Sequence, residues 1–519
     1  MTGLPAYSGT IPRLLAAAAE RDPDGTWLRT DAAAMSFAEA ARRVAGLAQV
    51  LRSAGIRRGD LVMTTARSTP PYLLCWLALA SLGAVTVPVN PRSAPAELAG
   101  LVRQVAPRAL ITDAGLAGLV DGAGVAGLPE LGVLDADALL AAAAVAGDGD
   151  GDQAGMPDVA RPGDVAALIP TSGTTGRSKL VMQTHRAYAM AGEGFPFWMQ
   201  LTAADRLMTS LPLFHINAPA YSVMGSLACG AGLVLLPRFS ASGFLDTARR
   251  HGATEFNAIG AMLEILMRQP PRPDDADTPL RLCYTGPAPE RERQLEMERR
   301  FGIQIVVGYA MSESPYGLIW ARGTRPYGTL GAVRQHPVLG TVNEARVVAP
   351  DGRVLGPGET GEIELRNPVL TPGYWGMPEE TAALLHDGWL RTGDLVTAGD
   401  DGTYTFVGRQ KEVLRRRGEN LSPLEVEEVL GAHPAVLECA VVGVESELSE
   451  DEVKAFVVPA AGASVPFDEL RAFAAERLAA FKVPRYWQLI GELPRTPTAR
   501  VAKHRLPAGH QPGEYDTGA

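Results

Sequence analysis

Helix-spaced and strand-spaced apolar patterns alternate along the first third of the chain, which predicts a layered α/β fold with a parallel-rich sheet. Ser36 and Glu39 stand at capping-box spacing ahead of a helical stretch over 37–54. Strand patterns over 61–65 and 84–89 flank a helical one over 72–82; Asn90-Pro91 stops the second strand, and 109–112 makes a further short one. Residues 135–164 are rich in Ala, Gly and Asp, carry no strand signal, and read as a helix followed by a flexible connection. Segments 281–289 and 303–308 each read as a strand ending in small residues.

From Gly361 the texture changes to short alternating strands with Gly and Asp turns, which predicts a small antiparallel subdomain through residue 406. Gly408-Arg409-Gln410-Lys411 interrupts that pattern. Beyond it lie a second capping-box spacing, Ser422 and Glu425, strand patterns over 440–444 and 453–458, and a helix with Phe467, Leu470, Ala474 and Leu478 on one face. A strand over 486–490 follows, and the Pro- and Gly-rich tail beyond Leu506 reads as disordered. The expected division is a large domain over 1–408, with parallel-rich sheets and the antiparallel subdomain, and a small mobile α+β domain over 409–519.

Composition narrows the class. At 519 residues, 46% hydrophobic and 20% charged, the chain holds several domains' worth of globular sequence. A formal net charge of -10 gives no footprint for nucleic acid and no polybasic membrane patch, so an anionic ligand has to be held locally. Cys75, Cys229, Cys283 and Cys439 match no metal spacing and read as reduced thiols. Without a basic, then apolar, leader or an apolar run of membrane-spanning length, the expectation is a soluble cytoplasmic protein of unknown oligomeric state.

The densest chemistry is Thr171-Ser172-Gly173-Thr174-Thr175-Gly176-Arg177-Ser178-Lys179, with five hydroxyls, two glycines and a lysine between apolar runs over 165–169 and 180–182. Glycines let backbone N–H groups turn toward an anion, hydroxyls add donors, and the lysine supplies a point charge. A Walker loop needs Gly-Lys-Ser/Thr opening a helix, whereas Arg177 follows Gly176 here and both flanks read as strands. Taken alone, the stretch reads equally well as a polar hairpin or as a strand-loop-strand phosphate site. His215, in the apolar run 211–218, reads by burial trends as a core histidine. Tyr309-Ala310-Met311-Ser312-Glu313 follows a strand end with a ring to stack, a hydroxyl, and a carboxylate suited to Mg2+ against phosphate. Asp394, after Thr392-Gly393, suits a pair of ribose hydroxyls.

Those motifs, in that order, resemble the acyl-adenylate-forming superfamily over most of the chain. The resemblance implies a two-step ligase: MgATP activates a carboxylic acid as acyl-adenylate with release of pyrophosphate, and a thiol, CoA or that of a carrier protein, takes the acyl group. It implies a phosphate loop of Thr171, Ser172, Gly173, Thr174, Thr175, Gly176 and Lys179, with Thr174 and Glu313 on Mg2+. His215 becomes the gate beside the acyl site, replacing its bland reading. Gly286, Pro287 and Ala288 line the adenine, Tyr309 stacks on it, and Ser312 stands where Thr is usual; Asp394 and Arg409 take the ribose, Lys411 the hinge, and Gly418 the edge of the pantetheine tunnel. Runs 211–218 and 415–420 look most like the carnitine and crotonobetaine CoA ligase branch.

Four departures stand out: Ser178 for Pro, Leu180 for Gly, Ala310 for Gly, and Ala499-Arg500 where a Gly-Lys pair provides the adenylating lysine. Arg500 is the expected replacement, with Lys503 nearby. Pocket candidates His215, Ile259, Tyr284, Ala310 and Pro315 are mostly apolar or aromatic, which favours an aryl or medium-chain acid. Rival readings are a diazotase that activates nitrite for an aryl amine, and a nucleotide-binding protein without turnover.

Overall fold

The computed structural model describes residues 9–147, 156–171, 178–286, 289–410, 412, 414–416, 419–445, 451–478, 480–495, 501–507 and 509–517. They fall into two compact units: Met1–Ala345 with Leu365–Leu390 and Asp401–Thr403, and Arg346–Glu364 with Arg391–Asp400 and Tyr404–Ala519. Among the described residues no helix is long and apolar enough to cross a membrane.

The first unit is built on two sheets. One has six strands in the order Val133–Asp135, Ala109–Thr112, Leu61–Thr65, Val85–Pro88, Val165–Thr171, Lys179–Thr184, parallel except at the last pair. The other has nine, and its central strands, from Gln304–Met311 through Leu282–Thr285, Glu255–Asn257, Arg206–Thr209 and Gly232–Leu235 to Thr26–Arg29, are parallel, with antiparallel strands at both edges. Parallel strands need crossover helices, and those helices are apolar all round where they are enclosed. In Pro70–Ser81 every residue from Tyr72 to Ser81 is buried, and His185–Met199 is nearly as enclosed. Ser36 caps Phe37–Ser53, its side chain accepting from the Glu39 N–H at 3.2 Å, as the spacing predicts.

In the second unit, Val436–Glu445 pairs antiparallel with Asp451–Pro459, which pairs in parallel with Tyr486–Leu489. Helices Pro423–Gly431 and Phe467–Ala475 bring Val426, Leu430, Leu470 and Ala474 into a core with Val441, Val453, Ala455 and Trp487. The capping box expected at Ser422 and Glu425 does not form: the Ser422 side chain makes no cap, and Lys482 binds both Glu425 oxygens at 2.7 Å. The tail beyond Leu506, expected to be disordered, instead supplies Tyr515–Asp516 as an edge strand on Tyr486–Leu489. Its anchors are polar and long-range, so Pro and Gly content does not reveal them: Arg485 grips Asp516 at 2.9 Å, and fully buried Lys454 meets the Glu514 carboxylate and, at 3.0 Å, the Gly509 carbonyl.

Candidate active site

Val165–Thr171 and Lys179–Thr184 form an antiparallel hairpin whose last registered pair is Thr171 with Lys179, and the Thr171 hydroxyl donates to the Lys179 carbonyl at 3.3 Å. The base of the loop is therefore strand on strand, the geometry that separates it from a Walker loop. Ser172, Gly173, Thr174, Thr175 and Gly176 lie outside the described residues, as do Pro287, Ala288, Lys411, Gly418 and Arg500.

Around that base the first unit gathers Lys179, Ser312 and Glu313. Backbone bonds sew segment 371–375 to the hairpin, Met182 N–H to the Gly373 carbonyl at 3.0 Å and Trp375 N–H to the Leu180 carbonyl at 2.8 Å. The same segment holds the Ser312–Glu313 turn, with Thr371 N–H donating to the Glu313 carbonyl at 2.8 Å, while the Gln183 amide binds the Ser312 carbonyl. The result centres on Tyr374: the Lys179 ammonium lies 4.6 Å from its ring centre, and its hydroxyl donates to Glu313 Oε1 at 2.9 Å. A ring face attracts a cation and a phenol donates to a carboxylate, so one side chain holds both charges in place. Tyr374 is absent from the residues expected from sequence; its only signal is the Gly373-Tyr374-Trp375 run, which has no chemistry until the fold brings it to Glu313.

Glu313 is buried, with one oxygen fixed by that hydroxyl. Mg2+ takes one or two protein carboxylates and completes its shell with nucleotide phosphates and water, so this residue fits an ion that arrives with ATP.

Tyr309 lies near the end of strand Gln304–Met311, half-buried, and the turn that follows returns the chain as Ser314–Ile319. Gly286, at the end of Leu282–Thr285, comes so close to that strand that a Cβ there would sit 2.4 Å from the Gly308 carbonyl oxygen. His215 is half-buried, its ring 4.5 Å from that of Phe214, and its backbone N–H donates to the Pro212 carbonyl at 3.2 Å.

The second unit holds its own set. Asp394 is fully buried on Trp389–Ala398, in register with Arg409 on Tyr404–Arg409, and the Arg409 guanidinium lies 2.7 Å from its carboxylate. The Thr392 hydroxyl accepts from Asp394 N–H at 3.1 Å and donates to the Ile363 carbonyl at 2.6 Å, which fixes the turn that aims the carboxylate. Burial, with Glu364 and Asp394 near it, raises the pKa of Glu362, which accepts from Gly393 N–H at 2.8 Å. Lys503 is engaged: its ammonium lies 2.8 Å from Glu427 and 3.6 Å from Glu412. Glu427 also accepts from Val441 N–H at 2.6 Å, and burial raises its pKa despite the lysine.

Comparison with known proteins identifies the family. The AMP-binding enzyme family matches residues 15–375, and the AMP-binding enzyme C-terminal domain matches residues 425–500. The crotonobetaine/carnitine–CoA ligase of Salmonella arizonae is 31% identical over 489 residues, covering 91% of this chain and 92% of that protein. The o-succinylbenzoate CoA synthetase (MenE) of Bacillus subtilis, solved with its acyl-adenylate intermediate OSB-AMP, superposes with a TM-score of 0.85 at 25% identity, covering 96% of this chain and 99% of its own. ATP-bound MatB from Rhodopseudomonas palustris gives 0.83 at 27% identity, over 95% and 97% of the two chains. With the hairpin loop, the strand-end tyrosine and the buried aspartate in the family's order, the chain belongs to the AMP-binding enzymes.

Proposed function

We propose that the protein is an AMP-forming acid–CoA ligase. The carboxylate of the acid attacks the α-phosphate of ATP, a P–O bond to the acid forms, and the bond to pyrophosphate breaks. The CoA thiolate then attacks the acyl carbon, a C–S bond forms, and AMP leaves. The observation that carries this reading is the Lys179–Tyr374–Glu313 arrangement at the base of the hairpin loop.

Each residue has a limited task, because the chemistry needs position and charge more than covalent help. Lys179 and the loop donors 171–176 offset negative charge on the departing phosphates. Glu313, with Thr174, holds Mg2+, which supplies further neutralisation when bound. Tyr309 stacks on the adenine, which Gly286, Pro287 and Ala288 border, with Ser312 beside it. Asp394 accepts from the ribose hydroxyls and Arg409 keeps its carboxylate oriented. His215 stands beside the acid. We assign the adenylating contact to Arg500 rather than Lys503, since Lys503 is committed to Glu427 and Glu412. Residues 409–519 turn about Lys411 between the two steps, bringing Gly418 to the pantetheine.

CoA is the favoured acceptor because the relatives at 31% identity are named CoA ligases, which leaves carrier-protein, nitrite and turnover-free readings behind it. The acid we assign is an aryl or medium-chain one, from the apolar and aromatic candidates Ile259, Tyr284, Ala310 and Pro315. The unbridged thiols Cys75, Cys229, Cys283 and Cys439 fit a cytoplasmic setting. The test is pyrophosphate release from MgATP across a panel of acids, with thioester formation on adding CoA. Release that requires nitrite with an aryl amine, or no release from any acid, would overturn the proposal.

A further inference from the structure

Arg334 carries a charge that the reaction described above leaves unused. It is fully buried just past the edge strand Ala332–Val333, and all five of its N–H groups are engaged. Nε donates to the Leu318 carbonyl at 3.0 Å. Nη1 donates to the Tyr221 hydroxyl at 2.8 Å and the Pro315 carbonyl at 3.0 Å. Nη2 donates to the Tyr284 hydroxyl and, at 3.4 Å, to the Tyr309 carbonyl. The guanidinium also lies 4.6 Å from the centre of the Trp198 ring. Every partner is neutral, and among the described residues none of the ion pairs involves Arg334. Arginine does not lose its proton in proteins, so a full positive charge stands in the interior with no carboxylate in direct contact among the described residues.

Its position gives that charge a direction. Two of the hydroxyls and carbonyls it grips, on Tyr284 and Pro315, belong to residues assigned to the acid, and Tyr221 lies within the helical stretch Ala218–Val223, just beyond His215. The adenine side receives only the longest of the five bonds, to the Tyr309 carbonyl. In an interior of low effective dielectric, a cation with no carboxylate in contact favours an approaching carboxylate and disfavours a second cation on the same molecule.

We infer that Arg334 is a positioning and specificity-determining residue for the acid, holding the Tyr284–Pro315 wall and excluding substrates that carry a quaternary ammonium. The inference rests on the ligase reading and narrows it: despite its likeness to carnitine-type CoA ligases, this enzyme takes neutral aryl or alkyl acids. Like charges separated by ~7 Å at an effective dielectric of about 20 disfavour binding by well over tenfold, which sets the size of the effect.

The experiment compares γ-butyrobetaine with its carbon isostere, in which a tert-butyl group replaces trimethylammonium, in acid-dependent pyrophosphate release. The native enzyme should favour the neutral acid at least tenfold in kcat/KM. Arg334→Lys, which keeps the charge, should keep that preference while raising the KM for the acid more than the KM for ATP. Arg334→Met should raise turnover of the betaine relative to its isostere by roughly tenfold. Should Arg334→Met not fold, the triple variant with Tyr221→Phe and Tyr284→Phe removes the orphaned hydroxyls along with the charge. A purely structural arginine would lower the active fraction and move both acids equally. Equal or better use of the betaine by the native enzyme, or an unchanged ratio in a folded Arg334→Met, would overturn the inference and leave the ligase reading standing. Absence of release from every acid would remove both.

Discussion

Tyr374 stands between a cation and an anion, and removing its hydroxyl alone separates the two contacts. Tyr374→Phe keeps the ring under Lys179 and deletes the bond to the buried Glu313 carboxylate, a loss of about 1.5–3 kcal/mol for a hydrogen bond to a charged group. Pyrophosphate release should slow by roughly 10- to 150-fold at that loss, and an unchanged rate would detach Glu313 from the chemistry. His185 makes a second prediction of a different kind. It is buried at the start of His185–Met199, neither ring nitrogen has a hydrogen-bond partner among the described residues, and burial lowers its pKa from 6.5 to about 4. The folded state therefore keeps the ring neutral while the unfolded chain takes a proton near pH 6.5. The stability this group contributes is present above pH 6.5 and is lost as pH falls toward 4, on the order of 3 kcal/mol in total. Urea midpoints at pH 7 and pH 5 measure it, and His185→Gln should show a clearly smaller drop across that interval.

At the level of elements, the ends of strands Leu282–Thr285 and Gln304–Met311 touch at Gly286 and Gly308, and the limiting atom is a backbone carbonyl that has little freedom to move. Gly286→Ala should therefore push the strand ends apart, with a loss of about 1–3 kcal/mol in stability and a raised KM for ATP. A variant with native melting temperature and native KM would mean the strand ends are loose. The strands themselves are largely legible in the sequence. Stretches such as Leu61–Thr65 and Ala109–Thr112 are buried on both faces, so the apolar run alone marks them. The hairpin base at Thr171 and Lys179 is legible for the same reason. Tyr374, Tyr221 and Arg334 are not, because their partners lie far away in sequence and an isolated Tyr or Arg has no periodicity. Ser422 and Glu425 show the converse failure: the spacing is right, but Lys482 offers Glu425 a charged partner that outcompetes a backbone N–H.

Two compact units should unfold as more than one calorimetric transition, and two substitutions should move them separately. In the first, Glu255 is fully buried, neither carboxyl oxygen has a hydrogen-bond partner among the described residues, and burial, reinforced by Asp205, pushes its pKa well above 4.5. A raised folded pKa means that its favourable contribution exists below pH 4.5 and disappears as pH rises, so at neutral pH the group destabilises the fold. Glu255→Gln should raise the first unit's transition at pH 7 by about 2 °C or more. In the second, Lys503→Ala leaves Glu427 buried with a raised pKa, and should destabilise that unit by about 3 kcal/mol at pH 7, less at pH 5 where the carboxyl takes a proton more readily. If either change moves both transitions equally, the units do not unfold independently. The order of motifs makes the family legible at this scale, while the acid is hidden, since its selection rests on interior contacts such as those of Arg334.

The enclosed helix Pro70–Ser81 also constrains how the protein is made. Its Leu73, Trp76 and Leu77 emerge from the ribosome long before the strands that complete the sheet around them, since Val85–Pro88 pairs with Val165–Thr171. A nascent chain halted between them carries an open parallel edge beside an uncovered apolar helix. Synthesis should therefore be most sensitive to chaperone supply while residues 90–165 are being translated, and truncations ending there should be recovered as aggregates.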